Sequence, residues 1–316
     1  MIVSDQTMTT ETLRQLQLSE FYLLTEFKAF CKKHTLHFTL DFGSIIGAIR
    51  HQGFIPWDDD IDIAMLRWDY DAFLEYAKSW NHPNIFVQSF ESDPEFVHAF
   101  TRIRLNGSLA LQEEWKHMDV HHGIFIDVFP YDVIPSQKEE RDRHQEKIYT
   151  LQQTKLHRVS YLRTNSFSEF MRTLVTHPQS LRSMQYLNRK QTDIMTRYNQ
   201  GYTDSDSVTH MTQGFPKYTD YRRTIQEHNS ATLFPFEGSY FPVPQNYEAM
   251  LLNTYGDYLS YPPKAEQTPH HGVVELIFRQ DILEEMQRNQ GKQSQDADAT
   301  NHKNESAERA EESDRD

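Results

Sequence analysis

The chain has 316 residues, enough to bury a sizeable core in one large domain or two modest ones. Its 32 Lys and Arg stand against 46 Asp and Glu, a formal charge of -14, which argues against a general nucleic-acid-binding surface. One cysteine, Cys31, leaves no internal disulfide and no Cys-based zinc site, and suits a reducing compartment.

The N-terminus lacks a basic region followed by a long apolar core, and no window approaches the ~20 apolar residues of a membrane span. The expectation is a soluble cytoplasmic protein, peripheral at the inner face of a membrane if it acts on lipid-linked material. No clear amphipathic anchor shows in the sequence.

In residues 10–33 Leu13, Leu16, Leu24, Phe27 and Phe30 recur at helical spacing, with Thr9 or Thr10 as cap. A short apolar run at 36–40 leads to Gly43-Ser44 and a brief helical pattern at 45–49, which Gly53 and Pro56 break. The acidic burst Asp58-Asp59-Asp60 then runs into Ile61-Asp62-Ile63, whose alternation and β-branching predict a strand.

Side chains two apart on a strand share a face, so Asp60 and Asp62 lie about 6.6 Å apart and repel unless a cation joins them. A hard divalent ion with oxygen ligands suits that pair. A solvated acidic turn is the alternative. An EF-hand calcium loop fails, because Ile63 stands where the turn glycine belongs and Asp69 where the twelfth-position Glu would be.

A helix is predicted from about Arg67, then short strands at 85–88, 99–105, 109–112 and 124–129, with Asn106-Gly107 as a hairpin signal between two of them. Asp127 sits in the otherwise apolar strand 124–129, where a carboxylate needs a metal or a cation. Arg102 and Arg104 alternate to one face and are candidates either to hold phosphates or to partner Asp127.

Ser136 to Glu139 reads as a capping box opening a helical region to about 198. Residues 201–244 read as loop with short strands, and 246–256 as a helix ending at Gly256. The pairs His121-His122 and His270-His271 do not make a zinc site; for His271 a hydrogen bond to substrate or structure is preferred. Beyond 289 the tail is too polar to build a core.

The unbroken run IGAIRHQGFIPWDDDIDI, residues 46–63, resembles the signature of the LicD family of phosphotransferases, shared by the fukutin-type proteins. Gly43-Ser44 with Asp60-Ile61-Asp62 is similar to the wider nucleotidyltransferase superfamily. The run around Gly123 to Pro130, residues 236–244, and Tyr255-Gly256-Asp257-Tyr258 with His270-His271 continue the resemblance, which covers roughly residues 12–279. One departure is Glu266-Gln267-Thr268-Pro269, where family members often carry a basic residue.

The resemblance implies an α+β, nucleotidyltransferase-like mixed sheet flanked by helices, in a catalytic domain over 10–288. Its parts are a strand-rich core at 34–135, a helical region at 136–200 and C-terminal motifs at 236–279; an acidic tail follows at 289–316. It implies transfer of a phospho-alcohol, phosphocholine from CDP-choline foremost, to a hydroxyl of a teichoic acid or surface-glycan precursor, lipid-linked or free, with release of CMP.

Asp60, Asp62 and Asp127 would hold Mg²⁺ or Mn²⁺, assisted by Asp58. Gly43, Ser44, Arg50, Arg102, Arg104 and His271 would bind the donor and its phosphates, and Trp57 and Trp115 would contribute to an aromatic box for choline. The alternatives are a nucleotidyltransferase using a nucleoside triphosphate, and a non-catalytic nucleotide- or glycan-binding module.

Overall fold

The computed structural model describes residues 2–4, 8–164, 166–212 and 221–291. Its first helix, Thr10–His34, starts where the Thr9 hydroxyl accepts a hydrogen bond from the Thr12 amide at 3.1 Å. Glu11 in the first turn and Lys32, Lys33 and His34 in the last match the helix dipole. Thr35, in the left-handed conformation at φ 57°, stops it. Phe27 and Phe30 of its apolar face pack edge-on against Phe73.

That helix lies against a mixed sheet whose order is Thr39–Leu40, Asp62–Leu66, Phe125–Val133, Thr101–Leu105 and Ile85–Gln88. Asp62–Leu66 and Phe125–Val133 run parallel; the other pairs are antiparallel. The far half of Phe125–Val133 continues past its neighbour to pair with Ser207–His210, which pairs with Arg223–Thr224. All nine residues of Phe125–Val133 are buried, as expected of a central strand. The architecture is the expected α+β mixed sheet with flanking helices.

Register places the chemistry. Asp62 is paired with Asp127, and Asp127 on its other side with Arg102, which is paired with Gln88. Residues paired across neighbouring strands point to the same face about 4.8 Å apart. Two carboxylates and a guanidinium thus stand in one row across the sheet.

The Asn106-Gly107 turn forms, with Gly107 at φ 74°, but it does not make a hairpin. Thr101–Leu105 stays in the large sheet, while Leu109–Gln112 joins a separate three-stranded sheet beside Val273–Ile277, whose other edge is Ile2–Ser4. Leu105 is claimed by the central core instead of by its sequence neighbour: its amide bonds Ile124 O at 2.8 Å. The brief helix expected at 45–49 is longer, Phe42–Ile46 followed by a π-turn at Gly47–His51.

The loop-like stretch before 244 holds a two-stranded hairpin, Thr232–Phe236 with Ser239–Val243. Its two-residue turn, Glu237-Gly238, has positive φ at both positions, the type I′ arrangement. The Glu237 carboxylate takes both ends of Arg14 at 3.0 and 2.6 Å, and its amide donates to Gln52 O at 2.8 Å. The hairpin thereby clamps the end of the π-turn against the first helix.

Helices Lys138–Thr164, Phe167–Thr176 and Met184–Met195 form the expected helical region, with small apolar clusters of its own around Ile148, Val159 and Met184. Residues 280–291 are helical, burying Ile282, Leu283 and Met286, so ordered structure runs past 288; 292–316 of the expected tail lie outside the described residues.

Candidate active site

The turn at Gly43-Ser44 is built for close approach. A Cβ on Gly43 would stand 2.9 Å from Asp58 Oδ2, and Phe42 just before it takes φ 42° with its amide donating to Tyr221 Oη at 2.6 Å. Ser44 Oγ accepts from the Asp62 amide at 2.9 Å, fixing the start of the aspartate strand. Gln17 on the first helix donates to Asp58 O at 3.0 Å and so holds the acidic loop from behind. Beneath, the buried Asp41 accepts from Tyr131 Oη at 2.7 Å and faces the fully buried Arg223 at 3.6 Å.

Asp58, Asp60, Asp62 and Asp127 line one cleft of about 740 Å³. Burial and the charge of Asp60 hold the Asp58 carboxyl well above the usual carboxylate range, and Asp60 itself is raised by burial although His271 opposes the shift. Asp62 is pushed well up by burial, then by Asp60 and Asp127; no side-chain donor among the described residues reaches its carboxylate. Asp127, by contrast, accepts from Arg102 Nε at 2.8 Å, with Nη2 at 3.4 Å from its second oxygen.

Asp59 does not line the cleft itself but anchors its His270-His271 side. It accepts from the His270 and His271 amides at 3.0 and 3.2 Å and lies 3.2 Å from His271 Nδ1. Burial would raise its pKa, but the bonds from His271 and the backbone outweigh it and the net shift is downward. His271 Nε2 faces Asp60 at 3.6 Å. Burial opposes charging this imidazole, yet Asp60 and Asp59 raise its pKa to about 9.

The other wall is aromatic: Trp57, Tyr255, Tyr258 and Tyr261, with Phe42 and Phe129. Arg50 lies over the Tyr261 ring at 4.8 Å and the Trp57 ring at 5.8 Å, and donates to Tyr258 O and Ser260 O at 2.8 and 3.0 Å. A cation therefore already rests on this wall. Asp257 and Glu266 add negative charge to the lining. The Tyr255 hydroxyl is held well above its ordinary pKa by burial and by the field of Asp62 and Asp41.

Of the residues singled out in the sequence, Gly43, Arg50, Trp57, Asp58, Asp60, Asp62, Asp127 and His271 meet in the cleft. Ser44 serves the strand amide. Arg102 is the partner of Asp127 and also donates to Gln112 at 2.8 Å; Arg104 is buried on Gln88 Oε1 and Gly123 O, both at 2.6 Å. Neither arginine lines the cleft. Trp115 packs near His98 around two other cavities, away from it. Sequence reasoning gave no site role to Asp59, Tyr258 or Tyr261, although Tyr258 stands in the run Tyr255-Gly256-Asp257-Tyr258 that carries the family resemblance. The alternation that paired Asp60 with Asp62 also separates Asp59, and Tyr261 lies beyond that run.

The cluster fits a hard cation. Half-buried carboxylates with upward-shifted pKa values, sharing one cleft and lacking enough positive partners, offer oxygens at a place where ionisation is otherwise costly. Asp59, Asp60 and His271 also bring potential ligand atoms within 4.8 Å of one another. An imidazole protonated below about pH 9 is a poor ligand, so the all-carboxylate face is the better seat.

Residues 35–180 match the family model described as LicD/FKTN/FKRP, nucleotidyltransferase domain. That stretch is similar to the LicD-type nucleotidyltransferase domain. The chain is 28% identical over 267 residues to the lipopolysaccharide cholinephosphotransferase LicD of Haemophilus influenzae, covering 82% of this chain and 96% of that protein. Shorter stretches, 58 and 52 residues at 36% identity, resemble uncharacterised proteins of Rickettsia typhi and Rickettsia prowazekii, spanning 19% and 20% of their lengths. The residues matched to the family model contain Asp58, Asp60, Asp62 and Asp127, while Asp257 and Glu266 of the same cleft lie beyond them. The aromatic wall at 255–261 and His271 lie beyond them as well.

Proposed function

We propose that this LicD-like phosphotransferase moves phosphocholine from CDP-choline to a hydroxyl of a cell-surface glycan such as lipopolysaccharide or a teichoic acid precursor, releasing CMP. The observation that carries the reading is the meeting of Asp58, Asp60, Asp62 and Asp127 with an aromatic, acid-rimmed wall in one cleft. The first half suits a diphosphate with its cation, the second a quaternary ammonium.

Asp60, Asp62 and Asp127, with Asp58 beside them, would hold Mg²⁺ or Mn²⁺, which when bound neutralises the donor diphosphate and makes its phosphorus easier to attack. Gly43 lets the Asp58 carboxylate approach the backbone at the edge of the donor cleft. His271, positively charged below about pH 9, donates to a diphosphate oxygen and stabilises the leaving CMP. Arg102 fixes the orientation of Asp127, which completes the metal site or, left off the ion, takes the proton of the acceptor hydroxyl. Trp57, Tyr258 and Tyr261 face the choline headgroup, and Asp257 and Glu266 complement its charge. Glu266 stands in the stretch where a basic residue was expected from the resemblance, and an acid there suits a cationic donor end.

Calorimetric titration of CDP-choline, CDP-glycerol, CDP-ribitol and CTP, each with and without Mg²⁺, tests this. The expected result is Mg²⁺-dependent binding with CDP-choline tightest. Preference for CTP would transfer the reading to a nucleotidyltransferase, and failure of all four to bind would overturn donor recognition.

A further inference from the structure

A second cavity, of about 260 Å³, lies against the long helix Lys138–Thr164. Tyr149, Gln152, Gln153 and Leu156 recur at the spacing of one helix face and form one side of it, with Lys155 on their flank. Val97, His98, Trp115 and Thr212 complete the lining. None of these residues lines the donor cleft, so the two sites can be tested apart.

The charge in this cavity is uncompensated. Among the described lining residues Lys155 is the only Lys or Arg, and no Asp or Glu accompanies it. Lys155 is 3% exposed, and its Nζ donates to Asn188 Oδ1 at 2.9 Å; Asn188 is held in that orientation by donating Nδ2 to Phe96 O at 2.8 Å. An ammonium has three hydrogens to give, and the other two find no acceptor among the described residues. A buried ammonium with one neutral partner is costly, and burial lowers the Lys155 pKa to about 7 with no carboxylate to restore it. The hydroxyl of Thr212, also buried, has no hydrogen-bond partner among the described residues. A lysine that only ties two helices together through Asn188 accounts for neither the open space nor the unused hydroxyl.

Around these donors stand aromatic faces and amides: Trp115, edge-on to His98 at 5.4 Å, the half-exposed Tyr149 at the rim, Gln152 and Gln153. Apolar rings with a few placed polar groups are the usual lining of small-molecule sites, and the volume is close to their lower bound of roughly 300 Å³. We propose that this cavity binds an anionic group, phosphate or carboxylate, carried on a body the size of one sugar, with Lys155 and Thr212 holding the anion and Trp115 and Tyr149 flanking the body.

The test is calorimetric titration of the full chain with glucose 6-phosphate, glucuronate, inorganic phosphate and glucose. The first two should bind, glucose at least tenfold more weakly, and inorganic phosphate should compete; which of the two anionic sugars is tighter distinguishes phosphate from carboxylate. Lys155→Met should weaken both tenfold or more. Tyr149→Ala, at an exposed position, should keep the parent's circular dichroism and weaken both severalfold, and it decides the matter if Lys155→Met does not fold. His271→Gln, in the donor cleft, should change neither. The other titratable groups of the lining are His98 and Tyr149, and burial with Arg102 and Lys155 nearby keeps the His98 imidazole neutral. Glucuronate, whose own charge is constant there, should therefore bind about tenfold tighter at pH 6 than at pH 8, as the Lys155 amine gains its proton. Failure of both anionic sugars to bind, glucose binding as tightly as its phosphate, inorganic phosphate binding as tightly as the anionic sugars, or binding that survives Lys155→Met and is lost in His271→Gln would each overturn the proposal.

Discussion

Asp62 and Asp127 stand side by side in the sheet but in different company, and their substitutions should diverge. Folding raises the proton affinity of Asp62, so its ionised form costs stability as pH climbs above the unfolded value near 3.9. Asp62→Asn should therefore abolish turnover while leaving the metal-free Tm unchanged or a few degrees higher. Asp127→Asn should abolish turnover and also destabilise, by about 3 kcal/mol, because it strands the buried Arg102. Urea denaturation of the two variants checks this contrast.

His271 offers a second residue-level prediction. Its pKa is raised on folding, so its contribution to stability is complete below about 6.5 and is lost as pH rises through about 9. NMR titration of the metal-free protein should place it near 9, and His271→Gln should flatten the fall in Tm between those values. A titration near 6.5 would remove its assigned role. At this scale the acidic residues were legible because a run of aspartates inside an apolar strand is conspicuous. The partner of Asp127 was not, since Arg102 and Arg104 share a strand face and only register places Arg102 directly beside the carboxylate.

Among the elements, the strand Phe125–Val133 bears the most constraint, and its far end is held by charge. Arg67, at the start of the helix Arg67–Ala77, makes a bidentate pair with Asp132 at 2.8 and 2.7 Å, and Asn199 donates to the same carboxylate at 2.6 Å. Asp132→Ala should cost roughly 3–5 kcal/mol by leaving a buried guanidinium unpaired, measured by urea denaturation. Loss of less than about 1 kcal/mol would show that water replaces the pair. Helices and strands with clear periodicity, such as Thr10–His34 and Asp62–Leu66, were readable from sequence. The Asn106-Gly107 hairpin was misread because turn chemistry specifies a reversal without naming the sheet that receives the next strand. The hairpin Thr232–Val243 was hidden by prolines and by a turn whose first residue is Glu, not the usual Asn or Gly.

Over the whole molecule, the α+β class followed from strands and helices in sequence and from the family resemblance. The cleft did not follow in full, because its second wall comes from an aperiodic stretch some two hundred residues after the first. That distance also explains why Trp115 was named for the aromatic box and Tyr258 and Tyr261 were not. Acidic and aromatic residues from distant parts of the chain line one cleft, so any cation site there belongs to the assembled fold. Protons and the divalent ion compete for Asp58, Asp60 and Asp62, whose pKa values are raised, so the Tm increase caused by Mg²⁺ or Mn²⁺ should be larger at pH 8 than at pH 5.5. Thermal melts across that range, with Asp62→Asn as control, would show it.

The central claim is that the acidic row and the aromatic wall act together on one donor. The most direct measurement is phosphorus NMR of the enzyme with Mg²⁺, CDP-choline and a lipopolysaccharide or teichoic acid precursor. CMP should appear in step with a phosphodiester-linked choline on the glycan, and neither should form with Asp62→Asn. Unchanged CDP-choline, or full turnover by Asp62→Asn, would contradict it.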